Sequence, residues 1–538
     1  MNKKMIFVLT LVLICSFAFS SFAADKKVFR FAEYGEPPNL DPHHSFNSFS
    51  TAITYGVLEG LTRINGGKVQ PGMAESWDIS EDGLTYTFHI RDAKWSDGKP
   101  VTAQDFEYSF KRLINPETHS DYGFFGPYFV GGEDYWQGKT KDASTVGVKA
   151  LDDKTLEIKL NTPLKFFLNL MGWCGFHPVR QDYVEKYGDG YGADVEKLAY
   201  NGPFLLKEWK HEEGLNLVKN PDYWDKDSIK LDEVNMLVIP DPTTLVNMYE
   251  TGQLDFAQLT KNDIPKYEAE GTLISTVKPR IFWYHFQVSD EEKGEFLSNV
   301  NFRKAIGYAI DRNAFTKYLL ADGSLPLTRV TPPGVHGLKI DHVEEFPIGE
   351  EFFPLKAEPE KANEYLDKAL EELGKTRADL PTFEILVNDK PESKIVVEAS
   401  QDMLEKNLGL DIEIRLLTSK QKWDDMINNR FEIVYGSWSM DFDDPINLLD
   451  TWVNGGGTNT MGWYNQEFED AVKFVNSTTD MELRAETIDK AEKMLLEEAM
   501  MVPLYVKGVV YTQRDYVKNF NRDPIGMNNN YIYADIQK

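Results

Sequence analysis

The stretch FEIVYGSWSMDFDDP, residues 431–445, begins as a short apolar run and continues into an aromatic residue and a carboxylate. The run Phe431–Tyr435 has the length and composition of a buried strand. Ligands of open α/β sheets bind just past the carboxyl ends of strands, which is where Trp438 and Asp441 fall. A carboxylate there suits the ammonium group of a ligand, and Trp438 would wall the pocket against water. The stretch therefore predicts an α/β domain with a loop that binds a cation.

The segments on both sides of this stretch alternate between helix and strand. Residues 358–435 predict, in order, a helix ending at Gly374, a strand over 383–387, a helix over 391–407, a strand over 411–417, a short helix over 421–429 and a strand over 431–435. Residues 466–499 predict a helix and 502–506 a strand. Residues 233–258 predict a β-α-β unit, with a helix that begins after Pro240 and stops at Gly252. This alternation is typical of two α/β lobes.

An antiparallel region precedes these units in the chain. After a first strand at 28–34, the alternation of apolar and polar residues over 72–92 predicts a hairpin that turns at residues 81–83. Residues 102–105 resemble a helix capping box, with Asp105 in place of glutamate. Two further strands are predicted over 145–160. We therefore interpret residues 59–185 as a smaller α+β domain.

The N-terminus has the features of a secretory signal. Lys3 and Lys4 precede an almost entirely apolar run over residues 5–19, and residues 21–23 carry small side chains at both positions that signal peptidase reads. The alternative, a retained membrane anchor, is disfavoured because the run is shorter than about 20 residues. Cys15 follows an isoleucine instead of the small residue that lipidation requires. The sequence thus predicts a signal peptide over residues 1–23 and a periplasmic protein.

Charge and cysteine content exclude several classes of protein. The formal net charge is −28, and removal of residues 1–23, which carry two lysines and no acid, brings it to −30. Such a surface argues against nucleic-acid partners and against anionic lipid headgroups. Only Cys174 would remain after cleavage, so neither an intramolecular disulfide nor a cysteine-based metal site is possible. The nine histidines show no metal-ligand spacing, and no metal or cofactor is expected.

Motifs of catalysis are missing from the sequence. It contains no Gly-x-Ser-x-Gly elbow, and Gly455–Gly457 lacks the lysine and hydroxyl residue of a phosphate-binding loop. Two function classes stay open at this point. One is a non-catalytic receptor, and the other is a secreted hydrolase that would use scattered carboxylates in a tryptophan-rich cleft. The missing nucleophile motif favours the receptor.

Several blocks of the mature chain resemble one family. The sequence is similar to the periplasmic solute-binding proteins of ATP-driven peptide importers, and within them to the oligopeptide-binding type. The most specific blocks are Pro71–Trp77, Asp82–Phe88 and Asp97–Asp105, and weaker ones are Leu40–His43, Asn201–Phe204, Asn220–Trp224 and Asn301–Ile306. The segment 438–445 looks like the ligand-binding loop of that family.

The resemblance implies a fold and a domain organisation. The expected fold is α/β, a bilobal periplasmic-binding-protein fold of type II, cluster C, with an additional α+β domain. The expected division is lobe I over 24–58, 186–281 and 508–538, the additional domain over 59–185, and lobe III over 282–507. The chain would cross between the lobes near Pro279–His285 and near Tyr505–Val509. Two such crossings make a hinge that can close over a ligand.

The resemblance also implies a function and a site. A monomeric receptor would capture an extended peptide in the interlobe cleft and deliver it to the permease subunits of an ABC importer. Asp441 would grip the α-ammonium group of the peptide and Trp438 would line a side-chain pocket. The other ligand-binding residues implied are Phe46, Ser48, His285, Trp423, Arg430, Ser437, Ser439 and Tyr505. Dipeptides, nickel complexes, haem and oligosaccharides stay open as ligands, although the charge of Asp441 favours an amine over a sugar.

The chain departs from its relatives in two respects. Some relatives carry a cysteine pair near the site, where this chain has Phe282 and Ser439. Some hold the carboxylate of the peptide with a histidine and two arginines. Arg430 matches one arginine, whereas the other falls at Tyr435 and the histidine near Ser393. From spacing alone, moreover, Asp441 also fits a turn or helix cap and Arg430 a solvated helix end. How the carboxyl terminus of a peptide is held, and therefore which peptide length is preferred, stays open at this point.

Overall fold

The computed structural model describes residues 26–44, 47–65, 68–120, 122–288, 294–335, 351–454, 459–478, 480–522 and 529–538. Within these ranges the chain forms three larger sheets, of four, four and seven strands, and two small two-stranded sheets. The predicted signal peptide, residues 1–23, lies outside them. Every helix in the described ranges is too short or too polar to cross a lipid bilayer.

The first four-stranded sheet joins the start of the chain to its middle. Its strands lie in the order Val28–Glu33, Glu233–Val238, Gly214–Lys219 and Phe204–Lys210, with the first pair parallel and the others antiparallel. Three helices accompany it: Ser48–Val57, Pro242–Glu250 and Ile264–Glu270. Phe29 and Phe31 of the first strand and Val234 and Met236 of its parallel neighbour are fully buried. The predicted first strand thus forms an inner part of the core.

The second four-stranded sheet is antiparallel throughout. Its order is Ala74–Ile79, Thr85–Ile90, Thr155–Lys159 and Val148–Ala150, and the hairpin Thr62–Asn65 with Lys68–Pro71 precedes it. Its helices are Ala103–Leu113, Gly132–Trp136, Phe167–Leu170 and Gln181–Tyr187. The predicted hairpin over 72–92 is confirmed, and so is the capping box, since Thr102 and Asp105 bond each other's backbone. Local sequence signals therefore determine this region well.

The seven-stranded sheet contains two strands of 13 residues, Ile274–Phe286 and Met501–Gln513, which we call the two long strands. Its order is Phe256–Gln258, Met501–Gln513, Ile274–Phe286, Ile433–Ser439, Thr382–Asn388 and Asp411–Leu417, with Leu325–Pro326 paired to Met501–Gln513. The predicted strand near 254–257 forms, but it pairs antiparallel with Met501–Gln513 in this sheet and not beside Glu233–Val238. The two strands of the predicted β-α-β unit therefore belong to different sheets.

The helices around this sheet follow the predicted alternation. They are Gly294–Leu297, Val300–Ala309, Arg312–Ala314, Pro359–Leu373, Pro391–Leu408, Ser419–Ile427, Ile446–Leu449, Gln466–Ser477 and Met481–Glu497. Gly374 ends the fourth of them in the left-handed conformation, at a φ of 64°, as a C-cap glycine does. The single helix predicted over 466–499 is two helices, because the Asp480 side chain accepts bonds from two backbone N–H groups and caps a new N-terminus.

The pairing of the two long strands is irregular in two places, between Val277 and Ile281 and between Phe282 and Trp283. The register shifts between Val277 and Ile281, which lie opposite Gly508 and Val506, so one strand carries two extra residues there. On one side of this bulge Met501–Gln513 pairs with Phe256–Gln258, and on the other Ile274–Phe286 pairs with Ile433–Ser439. Bulges bend strands and raise their local twist. The irregularity adjoins the predicted crossings, while the division into domains stays a prediction.

Candidate functional site

The strand Ile433–Ser439 has one open edge. Thr382–Asn388 pairs with it only at Ile433 and Val434, and no other described strand continues that side. On the opposite side Met440 donates its backbone N–H to Pro279 at 2.9 Å. Because backbone groups of alternate residues point to opposite sides of a strand, those of Ser437 and Ser439 face the open edge. The site thus offers unpaired strand donors and acceptors.

Asp441 lies just past the end of this strand. Its Oδ1 accepts a hydrogen bond from the Tyr122 hydroxyl at 3.1 Å, and its backbone N–H donates to Asn447 Oδ1 at 3.0 Å. Burial raises the pKa of Asp441 to about 6, against smaller opposing effects of Tyr122 and Asn447. Within the described part of the chain no cation pairs with this carboxylate and no backbone N–H donates to it. Asp441 is therefore not a turn or helix cap here but a desolvated carboxylate with neutral donors only.

A second carboxylate, Asp450, accompanies the first. Burial and the charges of Asp441 and Asp444 together raise its pKa to about 7. Burial and the charges of Asp450 and Asp441 also raise the pKa of Tyr128. Sequence reasoning missed Asp450, which lies in a single helical turn without any motif. The described residues contain no cluster of three metal-ligating side chains.

The loop that carries Asp441 is held on both sides. Asp444 accepts bidentate bonds of 2.9 Å from Arg484, which is fully buried, and it also accepts the backbone N–H of Ile446 at 3.0 Å. Asp444 thus combines a turn bond to the backbone with a buried ion pair that the sequence did not indicate. Phe442 stacks on Phe166, with ring centroids 4.0 Å apart. The loop therefore lies against the antiparallel region, which contributes Phe166 and, from another segment, Tyr122.

Trp438 points to the face of the sheet opposite to its neighbours Ser437 and Ser439, because side chains alternate along a strand. It is half-buried, and its Nε1 lies 3.4 Å from Asn447 Oδ1, the atom that also accepts the backbone N–H of Asp441. Asn447, which the sequence analysis missed, therefore brings Trp438 and Asp441 together. This placement suits a wall beside the carboxylate.

The other face of the strand carries an aromatic cluster. Phe282 stacks on Tyr505 at 4.5 Å, and the hydroxyls of Tyr505 and Tyr435 lie 2.6 Å apart. Ser437 Oγ accepts a bond of 3.0 Å from Arg280, whereas Ser439 is exposed. Tyr505 is buried in this cluster, so it packs against this face of the strand.

Two predicted site residues do not contact Asp441. His285 is fully buried, its Nδ1 accepts a bond from Trp283 at 3.1 Å, and burial lowers its pKa to about 3. Arg430 is exposed at a helix end and pairs with Asp425 at 2.7 Å and with Asp424. The structure thus places a core histidine and a solvated arginine at these positions.

Three further predicted residues add little to the site. Trp423 is about half exposed on the helix Ser419–Ile427. Phe46 lies outside the described residues. Ser48 begins the helix Ser48–Val57, and its side chain is not among those described. The residues that the structure brings together are therefore Asp441, Trp438, Ser437 and Ser439, with Tyr505 beneath them.

Comparisons with known proteins give consistent matches. The family model of the bacterial extracellular solute-binding proteins, family 5 Middle, matches residues 68–460. The dipeptide-binding protein DppE of Bacillus subtilis is 32% identical over 508 residues, covering 93% of this chain and 90% of DppE. The oligopeptide-binding protein OppA of the same organism is 34% identical over 496 residues, covering 90% and 88%. The structure of Listeria monocytogenes OppA bound to peptide superposes with a TM-score of 0.76 at 28% identity, covering 96% of this chain and all of that one.

Proposed function

We propose, because this chain belongs to the bacterial extracellular solute-binding proteins of family 5, that it captures peptides beside Asp441 and delivers them to the permease of an ABC importer. The family and the bilobal α/β fold expected from the sequence are confirmed. Proteins of this family are solute receptors and not enzymes. The hydrolase alternative is therefore dropped.

One observation carries the proposal: the desolvated carboxylate of Asp441, which has no cationic partner among the described residues, adjoins an open strand edge. An extended peptide adds to such an edge through backbone hydrogen bonds, which are common to all sequences. Its α-ammonium group would supply the positive charge that Asp441 lacks, through a charge-assisted bond. The backbone groups of Ser437 and Ser439 would pair with the first residues of the peptide. A sugar would leave the carboxylate without its cation.

The proposal includes a place and a mode of action. The receptor is monomeric and periplasmic, exported by residues 1–23. Lobe I comprises 24–58, 186–281 and 508–538, the additional domain 59–185, and lobe III 282–507. The bulge between Val277 and Ile281 supports this division, because an irregular stretch in two paired strands can bend when the lobes close.

A calorimetric cycle tests the proposal. A peptide with a free amino terminus and its N-acetylated form are titrated into the parent protein and into Asp441→Asn, which keeps size but removes the charge. Acetylation should cost the parent about 2–5 kcal/mol of binding free energy, because a buried partner is lost. In Asp441→Asn the acetylation penalty should be close to zero, because the charge that the ammonium group would meet is already absent. Equal penalties in both proteins would show that Asp441 is not the ammonium anchor.

Trp438→Ala serves as the matched variant, from the strand that leads into the loop. Since Trp438 bears no charge, its loss should weaken binding by an amount that depends on the side chains of the peptide and not on acetylation. A panel of peptides that differ in one side chain measures this dependence. If Trp438→Ala instead abolished the acetylation penalty, recognition of the ammonium group would depend on Trp438 as well as on Asp441.

A further inference from the structure

A short segment, residues 321–326, runs alongside the bulge in the two long strands, and we call it the brace segment. Its C-terminal end is the strand Leu325–Pro326, which pairs with Val506 and Tyr505. That pairing lies on the side of the bulge where the strand that leads to Asp441 also pairs. One end of the brace segment is therefore attached to the part of the sheet that carries the candidate site.

The other end of the brace segment packs on the far side of the bulge. Gly508 donates its backbone N–H to Ser324 Oγ at 3.0 Å. A Cβ atom on Gly508 would lie only 1.8 Å from the carbonyl carbon of Gly323, so the two backbones approach as closely as glycine allows. A Cβ atom on Gly323 would lie 2.9 Å from Ser275 Oγ and 3.0 Å from a methyl group of Val510. The brace segment thus lies against both long strands beyond the bulge.

A lysine beside the bulge holds the brace segment by charge. Lys507 lies directly opposite the extra residues of the bulge. Its ammonium group bonds Asp322 of the brace segment at 2.6 Å and Glu392, at the start of the helix Pro391–Leu408, at 3.0 Å. The side chains of Lys507 and Asp322 are 22% and 21% exposed, so their ion pair is screened less than a fully solvated one. Close packing and an ion pair therefore act on the same short segment.

Bending at the bulge would change the distance that the brace segment spans. When two paired strands bend at a bulge, the parts of the sheet on its two sides rotate relative to each other. In the proposed division, residues 274–277 and 508–511 belong to lobe I, whereas the brace segment belongs to lobe III. Two backbones in close contact cannot adjust by a change of rotamer. A rotation of the lobes therefore has to break the contacts of the brace segment on one side of the bulge.

We propose that the brace segment limits the rotation of the two lobes at the bulge, so that its contacts with Gly508 and Lys507 hold the peptide-free protein in the arrangement that binds peptide. The inference rests on the proposed function for its effect on affinity, while the rotation itself is measured without a ligand. A ligand binds only the competent fraction of molecules, so a smaller fraction weakens the apparent affinity for every peptide by the same factor.

Distances between two spin labels test the inference in the peptide-free protein. Cys174 is the one cysteine after the predicted signal peptide and is buried, so labels attach selectively to cysteines introduced by Lys207→Cys and Lys406→Cys. Both lysines are exposed, and they lie in proposed lobes I and III. Gly508→Ala should push the backbones apart, and Lys507→Met removes the ion pairs. Each should broaden or shift the distribution of label distances relative to the labelled parent.

Matched controls make the same changes outside the seven-stranded sheet. Gly202→Ala places a Cβ atom 2.6 Å from a backbone carbonyl carbon, and Lys111→Met breaks a partly buried ion pair of 2.5 Å. Neither should alter the distribution of label distances. Thermal unfolding verifies the fold of each variant. If Gly508→Ala unfolds, Ser324→Ala takes its place, because it removes only the hydroxyl that accepts the backbone bond from the strand.

Peptide affinity supplies a second measurement. Gly508→Ala and Lys507→Met should weaken the binding of a free and of an N-acetylated peptide by the same factor, about threefold to tenfold, because fewer molecules are competent. The acetylation penalty should stay that of the parent, since Asp441 is intact.

The label distances decide the inference. A change in either variant that exceeds the change in both controls supports it. Distributions that match the parent in both variants overturn it, as do equal changes in the controls, and both results leave the proposed function standing. An acetylation penalty that is absent from the parent protein contradicts the proposed function, whereas the label distances still test the brace segment.

Discussion

Asp41 is buried and Asp441 is partly buried, and their surroundings are opposite. Asp41 accepts bonds from Arg112 at 2.6 and 2.9 Å and from His44 at 2.9 Å, and these partners lower its pKa. Asp441 meets only neutral donors, and burial raises its pKa to about 6. The first carboxylate is neutralised from within the fold. The second keeps an unbalanced charge in the place where a ligand would supply the cation.

The difference shows how a buried charge can be classified before any ligand is known. The pair of Asp41 and Arg112 ties the first segment of the chain to the helix Ala103–Leu113, so its partner is always present. A ligand that binds and dissociates is not part of the fold. Without the ligand, the buried charge has no partner and its desolvation destabilises the protein. The same reasoning separates Arg484, which pairs with Asp444, from Lys422, whose ammonium group donates to the backbone carbonyl of Tyr435 and meets no acid among the described residues.

The largest expected effect concerns the internally paired carboxylate. Asp41→Asn leaves Arg112 buried without its anion, which should lower the free energy of unfolding by about 3–5 kcal/mol. Asp441→Asn should leave it unchanged or raise it, because the variant removes a charge that has no partner. Urea denaturation of the peptide-free proteins compares the two. Similar losses of unfolding free energy in both variants would show that the two carboxylates are not paired differently within the fold.

The pH dependence of the two carboxylates should have opposite signs. The pKa of Asp441 is raised in the folded state, so the empty protein gains stability as pH falls through about 6. The pKa of Asp41 is lowered, so its contribution is complete above the ordinary value near 4 and is lost as pH falls below it. Because the ammonium group needs an ionised Asp441, peptide affinity should fall about tenfold per unit below pH 6.

Calorimetry between pH 4.5 and 8 measures this dependence. An N-acetylated peptide should show little of it, since no ammonium group meets the carboxylate. Asp450 titrates in the same range, so the series is repeated in Asp450→Asn to isolate Asp441. A pH profile that is identical for free and acetylated peptides would mean that another group controls binding.

Local sequence signals predicted much of the fold and part of the site. The hairpin over 72–92, the capping box at Thr102 and the C-cap at Gly374 depend on neighbouring residues, and all of them formed. Asp441 was found because it follows a strand and lies in a loop resembling that of a known family. The position of Asp441 just past a strand end is a local property, so a short stretch of sequence is enough to predict it.

The partners of the site could not be predicted, because they come from distant segments. Tyr122 is 319 residues from Asp441, and Arg484 is 40 residues from Asp444. Such contacts depend on how the sheets assemble, which periodicity does not report. The same holds for the strand Phe256–Gln258, whose partner Met501–Gln513 lies near the other end of the chain. His285 was predicted as a ligand-binding residue, yet it is fully buried in the core. Its position in a strand did not indicate this burial.

The smallest expected effect concerns the neutral donor that Asp441 does have. Tyr122 donates its hydroxyl to Oδ1 at 3.1 Å and so lowers the pKa of the carboxylate, whereas the nearby Tyr128 makes no such bond. Tyr122→Phe should therefore raise the pKa of Asp441 and move the midpoint of the pH–affinity profile upward, by about one unit or less. Tyr122 and Tyr128 both pack on Phe125, and we call these three side chains the aromatic wall. Tyr128→Phe removes a hydroxyl from this wall and should leave the midpoint in place. Because both variants lose one oxygen atom beside the same acidic pair, equal shifts would trace the effect to the packing of the wall, and a shift in Tyr122→Phe alone would trace it to the hydrogen bond.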